Sequence, residues 1–156
     1  MSEERPERFS RFLTLLLMLE GGEVDDPLDN GGHTKLGVTQ DTYSDWLVKK
    51  RKPEKSVGDI SRQEAEDIFY ELYYTRVSYI EEEICHYLMF DLAVNSGPGR
   101  VKDCVQAVSN PHDPYAVLQW RRQYYNKIAA NNPTQQKFLK GWLNRLKRIQ
   151  KFYEAV

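Results

Sequence analysis

The chain has 156 residues, enough for one compact domain whose core needs no staple, and its 40% hydrophobic and 12% aromatic content excludes a disordered tail. The net charge of −1 conceals an asymmetry: residues 1–99 carry 11 Lys/Arg against 20 Asp/Glu, net −9, whereas residues 100–156 carry 11 against 3, net +8. Such a basic third suits nucleic acid, an acidic membrane or another anionic polymer, or is a solvated face that attracts the acidic part of the same molecule.

The apolar run Phe12 to Leu19 is about half the length needed to cross a bilayer. Glu20 follows at once, where a cleavable secretion signal would want small residues. The run is therefore expected as a buried first helix over 6–19, with Phe9, Leu13, Leu16 and Leu17 on one side. Glu20, four residues beyond Leu16, continues that stripe, and shielding from water there raises a carboxyl pKa. The next stretch, to Thr39, reads LEGGEVDDPLDNGGHTKLGVT and has no helical period. Its glycines predict a helix end, turns and a short irregular β-hairpin whose polar side chains face a cleft or water.

Thr39 can cap a helix running to about Val48, and the Lys/Arg cluster with Pro53 over 49–55 is an exposed connection. Ser61-Arg62-Gln63-Glu64 has capping-box spacing, so a helix is expected from there to about Arg76. Another is expected over 79–96, with Ile84, Leu88, Leu92 and Asn95 on one face and Gly97-Pro98-Gly99 ending it. That break divides the chain into lobes 1–97 and 98–156 of one compact domain. Beyond it, 101–108 is a short helix, Asp113-Pro114 opens another to about Ala130, and Asn131-Asn132-Pro133 ends that one. The last helix, 134–153, spaces Phe138, Trp142, Leu146, Ile149 and Tyr153 along one side. Cys85 and Cys104 lie in helical patterns without a CxxC arrangement and read as reduced core residues, and three scattered histidines supply too few ligands for zinc. The fold class is α+β, mainly α, with its small β element carrying the polar cluster.

An acid on a helix end against an apolar surface, with a second carboxylate across a cleft, is the arrangement that cuts glycosidic bonds. Glu20 suits the proton donor, and Asp29, nine positions on in a glycine-rich turn, suits the ionised partner. By spacing alone, such a pair is far more often a solvated turn. Asp26 is the rival second carboxylate, although Asp before Pro is also a common turn residue. His33 can touch substrate, although a lone His on a polar loop is more often merely exposed. Gln40 and Tyr43 can line a sugar cleft or merely open their helix, and Asn95 on an inner helix face can hold an N-acetyl group or brace the hairpin. Trp46, Trp120 and Trp142 read as core by default, whereas Tyr73, Tyr74, Tyr124 and Tyr125 include outward-facing members able to meet glycan.

The longer string Glu20-Gly21-Gly22, Asp26-Pro27, Asp29, Gly31-Gly32, Thr34 and Gly37-Val38-Thr39 resembles the signature of glycoside hydrolase family 108, the phage endolysins and related N-acetylmuramidases. Phe90-Asp91-Leu92-Ala93-Val94-Asn95-Ser96-Gly97 is similar to that family's second motif, and Phe138, Gly141-Trp142 and Arg145 to its C-terminal peptidoglycan-binding region. The resemblance implies a lysozyme-like fold with the hairpin beside an active-site cleft and a helical C-terminal lobe, and Glu20 as catalytic acid. A looser likeness to T-even phage lysozymes adds Asp29 and Thr34, with Thr34 one residue early for that pattern. The expected reaction is hydrolysis of the β-1,4 bond between N-acetylmuramic acid and N-acetylglucosamine with inversion, Asp29 and Thr34 orienting the water, and with no metal or organic cofactor.

The expected partner is bacterial peptidoglycan, with no nucleic acid, no stable membrane insertion and a monomeric protein. Competing readings are a non-catalytic wall-binding module, a secreted antibacterial muramidase effector, and a helical nucleic-acid binder, against which the acidic N-terminal part argues. An amidase or peptidase would want metal ligands or a Cys/His pair that the sequence lacks. The absent export signal implies synthesis in the host bacterial cytoplasm and release to the cell wall.

Overall fold

The computed structural model describes residues 4–19, 24–25 and 33–154, and the chain divides into two compact units, Met1–Arg76 and Val77–Val156. In the first, α1 (Glu7–Leu19) buries Phe9, Phe12, Leu15 and Leu16. Leu13 and Leu17, expected inward, are only half-buried. Aromatic packing accounts for the rotated stripe: Phe9 meets Tyr70 and Tyr74 edge-on with ring centres 5.0 and 5.2 Å apart, and Phe12 meets Tyr74 at 5.5 Å.

Three short strands follow, β1 (Val24–Asp25), β2 (His33–Lys35) and β3 (Val38–Thr39), antiparallel in sequence order. Leu36 and Gly37 turn β2 into β3 with φ of 53° and 81°, two successive positive values that suit a tight hairpin; Gly37 adopts its value without a Cβ penalty, whereas Leu36 bears one. Thr39 closes β3 and caps α2 (Gln40–Lys49), its hydroxyl accepting from the Thr42 N–H at 3.3 Å. α2 buries Tyr43, Trp46 and Leu47.

The capping box opens α3 (Arg62–Ile68): Glu64 N–H donates to Ser61 Oγ at 3.0 Å and Ser61 N–H to Glu64 Oε1 at 3.1 Å. The single helix expected to reach Arg76 instead changes winding, with a π-helical turn over Phe69–Tyr74 and a 3-10 turn over Thr75–Val77. Bonds from i to i+5 bring residues four and five apart together, so Phe69, Tyr73 and Tyr74 are buried together.

In the second unit α4 (Glu83–Ser96) starts four residues later than expected, because Ile80 is fully buried in a turn, its N–H donating to Val77 O at 3.1 Å. Every residue from Cys85 to Ala93 is buried, so α4 is enclosed on all sides instead of presenting one inner face. Asn95, expected on that inner face, is exposed near the helix end. Gly97, at φ 95°, separates α4 from α5 (Pro98–Ala107), which begins at Pro98 since a first-turn proline loses no helical bond. Asp113 caps α6 (Pro114–Asn131) by accepting from Tyr115 N–H at 3.0 Å, and a 3-10 turn over Pro133–Gln135 leads into α7 (Gln136–Glu154). α5 and α6 pack on α4, and α7 packs on α6. Cys85 and Cys104 are buried free thiols, and burial pushes both up to about 12. The fold is α+β and mainly α.

Candidate active site

Glu20, Asp29 and the rival Asp26 lie outside the described residues. Leu19, the pair Val24–Asp25 and the chain from His33 to Glu154 are described. Thr34 is half-buried on the central strand β2, opposite Val24 on one side and Thr39 on the other, and the His33 backbone pairs with Asp25. The strand's two-sided pairing fixes the backbone of Thr34, and Lys35 ties it further by donating from Nζ to Gly58 O at 2.7 Å.

Gln40 and Tyr43, one turn apart on α2, meet the connection that runs from the Lys/Arg cluster into α3. Gln40 Nε2 donates to Ser44 Oγ, Lys55 O and Glu54 Oε1 at 3.0, 3.0 and 3.2 Å, and its Oε1 accepts from Val57 N–H at 2.6 Å. Both ends of the amide are thus occupied within the first unit. Tyr43 is fully buried and donates to Glu64 Oε1 at 2.9 Å, while Lys55 Nζ lies 3.5 Å from Glu64 Oε2. Burial raises the Tyr43 hydroxyl pKa, and the hydrogen bond to Glu64 adds to it. Burial would raise Glu64 as well, but the Ser61 N–H, Tyr43 hydroxyl and Lys55 ammonium outweigh it and leave that carboxyl below its ordinary value.

The second unit holds a polar cluster of a different kind. Asp91, in the middle of α4, has no exposed surface, and its carboxylate is shared by two arginines. Arg145 from α7 donates through Nη2 to Oδ1 at 2.8 Å and through Nε at 3.1 Å to each oxygen. Arg121 from α6 donates through Nη2 to Oδ2 at 2.8 Å, through Nη1 to Leu88 O at 3.1 Å, and to the Tyr125 hydroxyl. Tyr87 adds a bond to Asp91 Oδ1 at 3.1 Å, and Tyr125 donates to Asn95 Oδ1, also at 3.1 Å. Burial alone would push Asp91 up, but the charges of Arg145 and Arg121 hold it down at about 2. A carboxyl so far below neutrality carries no proton to give. Asp91 clamps three helices; it is not the acid.

Sequence reasoning gave Asp91 and Arg145 only as motif letters and passed over Arg121. The signal was present in part: Val117, Leu118, Arg121 and Tyr125 share helical spacing, and all four are buried. Among the four tyrosines considered for glycan contact, Tyr73, Tyr74 and Tyr125 are buried and Tyr124 is half-buried. Trp46 is core, with its indole N–H on Glu71 at 2.9 Å, while Trp120 and Trp142 are half-buried. Among the described residues no group of three or more His, Cys, Asp or Glu could hold a metal ion, and no helix is long and apolar enough to cross a membrane.

α1 precedes the glycine-rich acidic string in sequence, and the small sheet that follows leads into α2. The family model Glycosyl hydrolase 108 matches residues 13–97, more than half of the chain, and the protein belongs to that family of glycoside hydrolases. A second model, Predicted Peptidoglycan domain, matches residues 104–147, and with it the substrate is peptidoglycan. Among solved structures, that of Brucella abortus SagA is similar to this chain at a TM-score of 0.75 and 24% identity, covering 96% of this chain and 95% of that one, a likeness of fold. No curated protein matches the sequence.

Proposed function

We propose that the enzyme is an N-acetylmuramidase, cutting the β-1,4 bond between N-acetylmuramic acid and N-acetylglucosamine with Glu20 as general acid. The observation that carries the reading is that Glu20, next in sequence to Leu19, lies inside the region matched by the family model. A general acid must hold a proton near neutral pH, and a carboxyl shielded from water on an apolar stripe does so. Digestion of purified peptidoglycan followed by reduction and mass spectrometry tests the bond. Reduced muramic acid ends are expected; reduced glucosamine ends or free amines with no new reducing sugar overturn it.

Asp29 is the general base in this reading, and Thr34, held on β2 between two partner strands, helps orient the attacking water. The outcome is inversion, so the first product carries an α-configured reducing end; a β-configured one, seen by proton NMR before mutarotation, argues for a covalent intermediate instead. Gln40 and Tyr43, with their polar atoms engaged on the 54–64 segment, act on substrate by holding that segment in place. Asn95 uses only its Oδ1 among described residues, leaving the Nδ2 donor for a sugar N-acetyl carbonyl. The enzyme acts as a monomeric endolysin, made in the cytoplasm of an infected bacterium and released to the wall through a lesion made by another protein. Cytoplasmic expression is then expected to lyse cells only with a membrane-perforating protein co-expressed; lysis without one contradicts that route.

A further inference from the structure

Between α5 and α6, wholly inside the second unit, lies an open groove of about 720 Å³. Its size falls within the range of roughly 300–1,000 Å³ typical of small-ligand sites. Its wall carries two aromatic rings, Trp120 and Tyr124, one helical turn apart and stacked at 22° with centres 5.2 Å apart. Both side chains are half-buried, so the ledge is part of the groove and not of the core.

Four polar side chains on and beside that ledge are left without partners among the described residues. Among the described residues, the Trp120 indole N–H, the Tyr124 hydroxyl, the Gln123 amide and the Lys127 ammonium have no hydrogen-bond or ion-pair partner. The core tryptophan, Trp46, has its indole N–H bonded to Glu71. The one carboxylate on the groove wall, Asp103, is paired to Arg100 at 3.0 Å, so the groove offers no acid and base for bond cleavage.

An aromatic ledge ringed by unpaired donors matches a pyranose, which presents an apolar C–H face to the rings and hydroxyl and N-acetyl oxygens to the rim. We infer that the α5–α6 groove is a non-catalytic site for the peptidoglycan glycan strand, seating an N-acetylated sugar on Trp120 and Tyr124 with a stem-peptide carboxylate on Lys127. Trp120, Gln123, Tyr124 and Lys127 all fall inside the match to the peptidoglycan domain. The inference rests on peptidoglycan being the substrate but not on the role of Glu20. A nucleic-acid strand would want a row of free cations, whereas of the two basic groups on the wall Arg100 is already paired.

The test is affinity, measured by titration calorimetry on the full chain in a Glu20→Gln background. The probe is a soluble tetrasaccharide of alternating N-acetylglucosamine and N-acetylmuramic acid, with and without its stem peptides. Trp120→Ala is expected to weaken both probes about tenfold. Lys127→Ala is expected to weaken only the peptide-bearing probe, by about twofold to threefold. Ala107→Trp, which fills the groove from an exposed position, guards against a misfolded Trp120→Ala and is expected to match it. Folded variants that bind like the parent overturn the site, as does displacement of the glycan by a single-stranded oligonucleotide. Cleavage by Glu20→Gln at the wild-type rate speaks against the proposed acid alone, and the difference between groove variants and their parent within that background speaks to the groove alone.

Discussion

In the first unit, Glu64 and Glu71 keep part of their surface in water, and each serves neighbours within about two helices of chain: Ser61, Tyr43 and Lys55 for one, Trp46 and Lys50 for the other. In the second, Asp91 has no contact with water and holds guanidinium groups 30 and 54 residues away in sequence. Both kinds of carboxylate sit in helices and both are held below their ordinary pKa. The difference is what removal would leave behind. A half-exposed glutamate leaves partners that water can solvate, whereas the loss of Asp91 strands two cations in a dry core. The contrast also separates motif membership from chemistry, since Asp91 belongs to a family-like motif yet lacks the raised pKa that proton donation demands.

The largest expected effect breaks or keeps this contrast at once. Asp91→Asn should cost about 3–5 kcal/mol of stability, because the amide cannot compensate Arg121 and Arg145, while Glu71→Gln should cost no more than about 1 kcal/mol. Denaturant midpoints at neutral pH measure both; equal costs would mean that burial does not separate the two sites.

Acid sharpens the comparison next. Asp91 sits at about 2 in the folded protein against 3.8 for the unfolded group, so its contribution is complete above about pH 4 and is lost as pH falls toward 2. The part lost is about 2 kcal/mol. The stability gap between wild type and Asp91→Asn should therefore narrow over that interval and stay level from pH 5 to 7; a gap that narrows only above pH 5 would assign the effect to another group. A smaller change is expected from Ser61→Ala in the first unit, about 1 kcal/mol, since it removes one half of a capping box at an exposed helix start. A cost as large as that of Asp91→Asn would show that the first unit depends on local caps as strongly as the second depends on its buried ions.

Features set by near neighbours were legible in the sequence. Ser61 with Glu64, Thr39 before α2, and Asp113-Pro114 before α6 each announce a helix start through bonds that span two or three residues. Features set by tertiary contact were not. α4 was read as having one inner face because periodicity cannot report that α5 and α6 cover it, and the π turn at Phe69–Tyr74 arises from where its aromatic rings pack. The pairing of Asp91 with Arg121 and Arg145 was hidden by sequence distance. For the site itself, the string from Glu20 to Thr39 pointed to the family through its glycines and acids, and the sheet that carries Thr34 follows from the same residues.

In the proposed mechanism one glutamate, Glu20, donates the proton that breaks the glycan. Glu20→Gln keeps the side chain's shape and removes that proton, so reducing ends released from purified peptidoglycan should fall by at least about a hundredfold, with helical content and denaturant midpoint unchanged. Release at the wild-type rate from a folded Glu20→Gln protein would contradict the account.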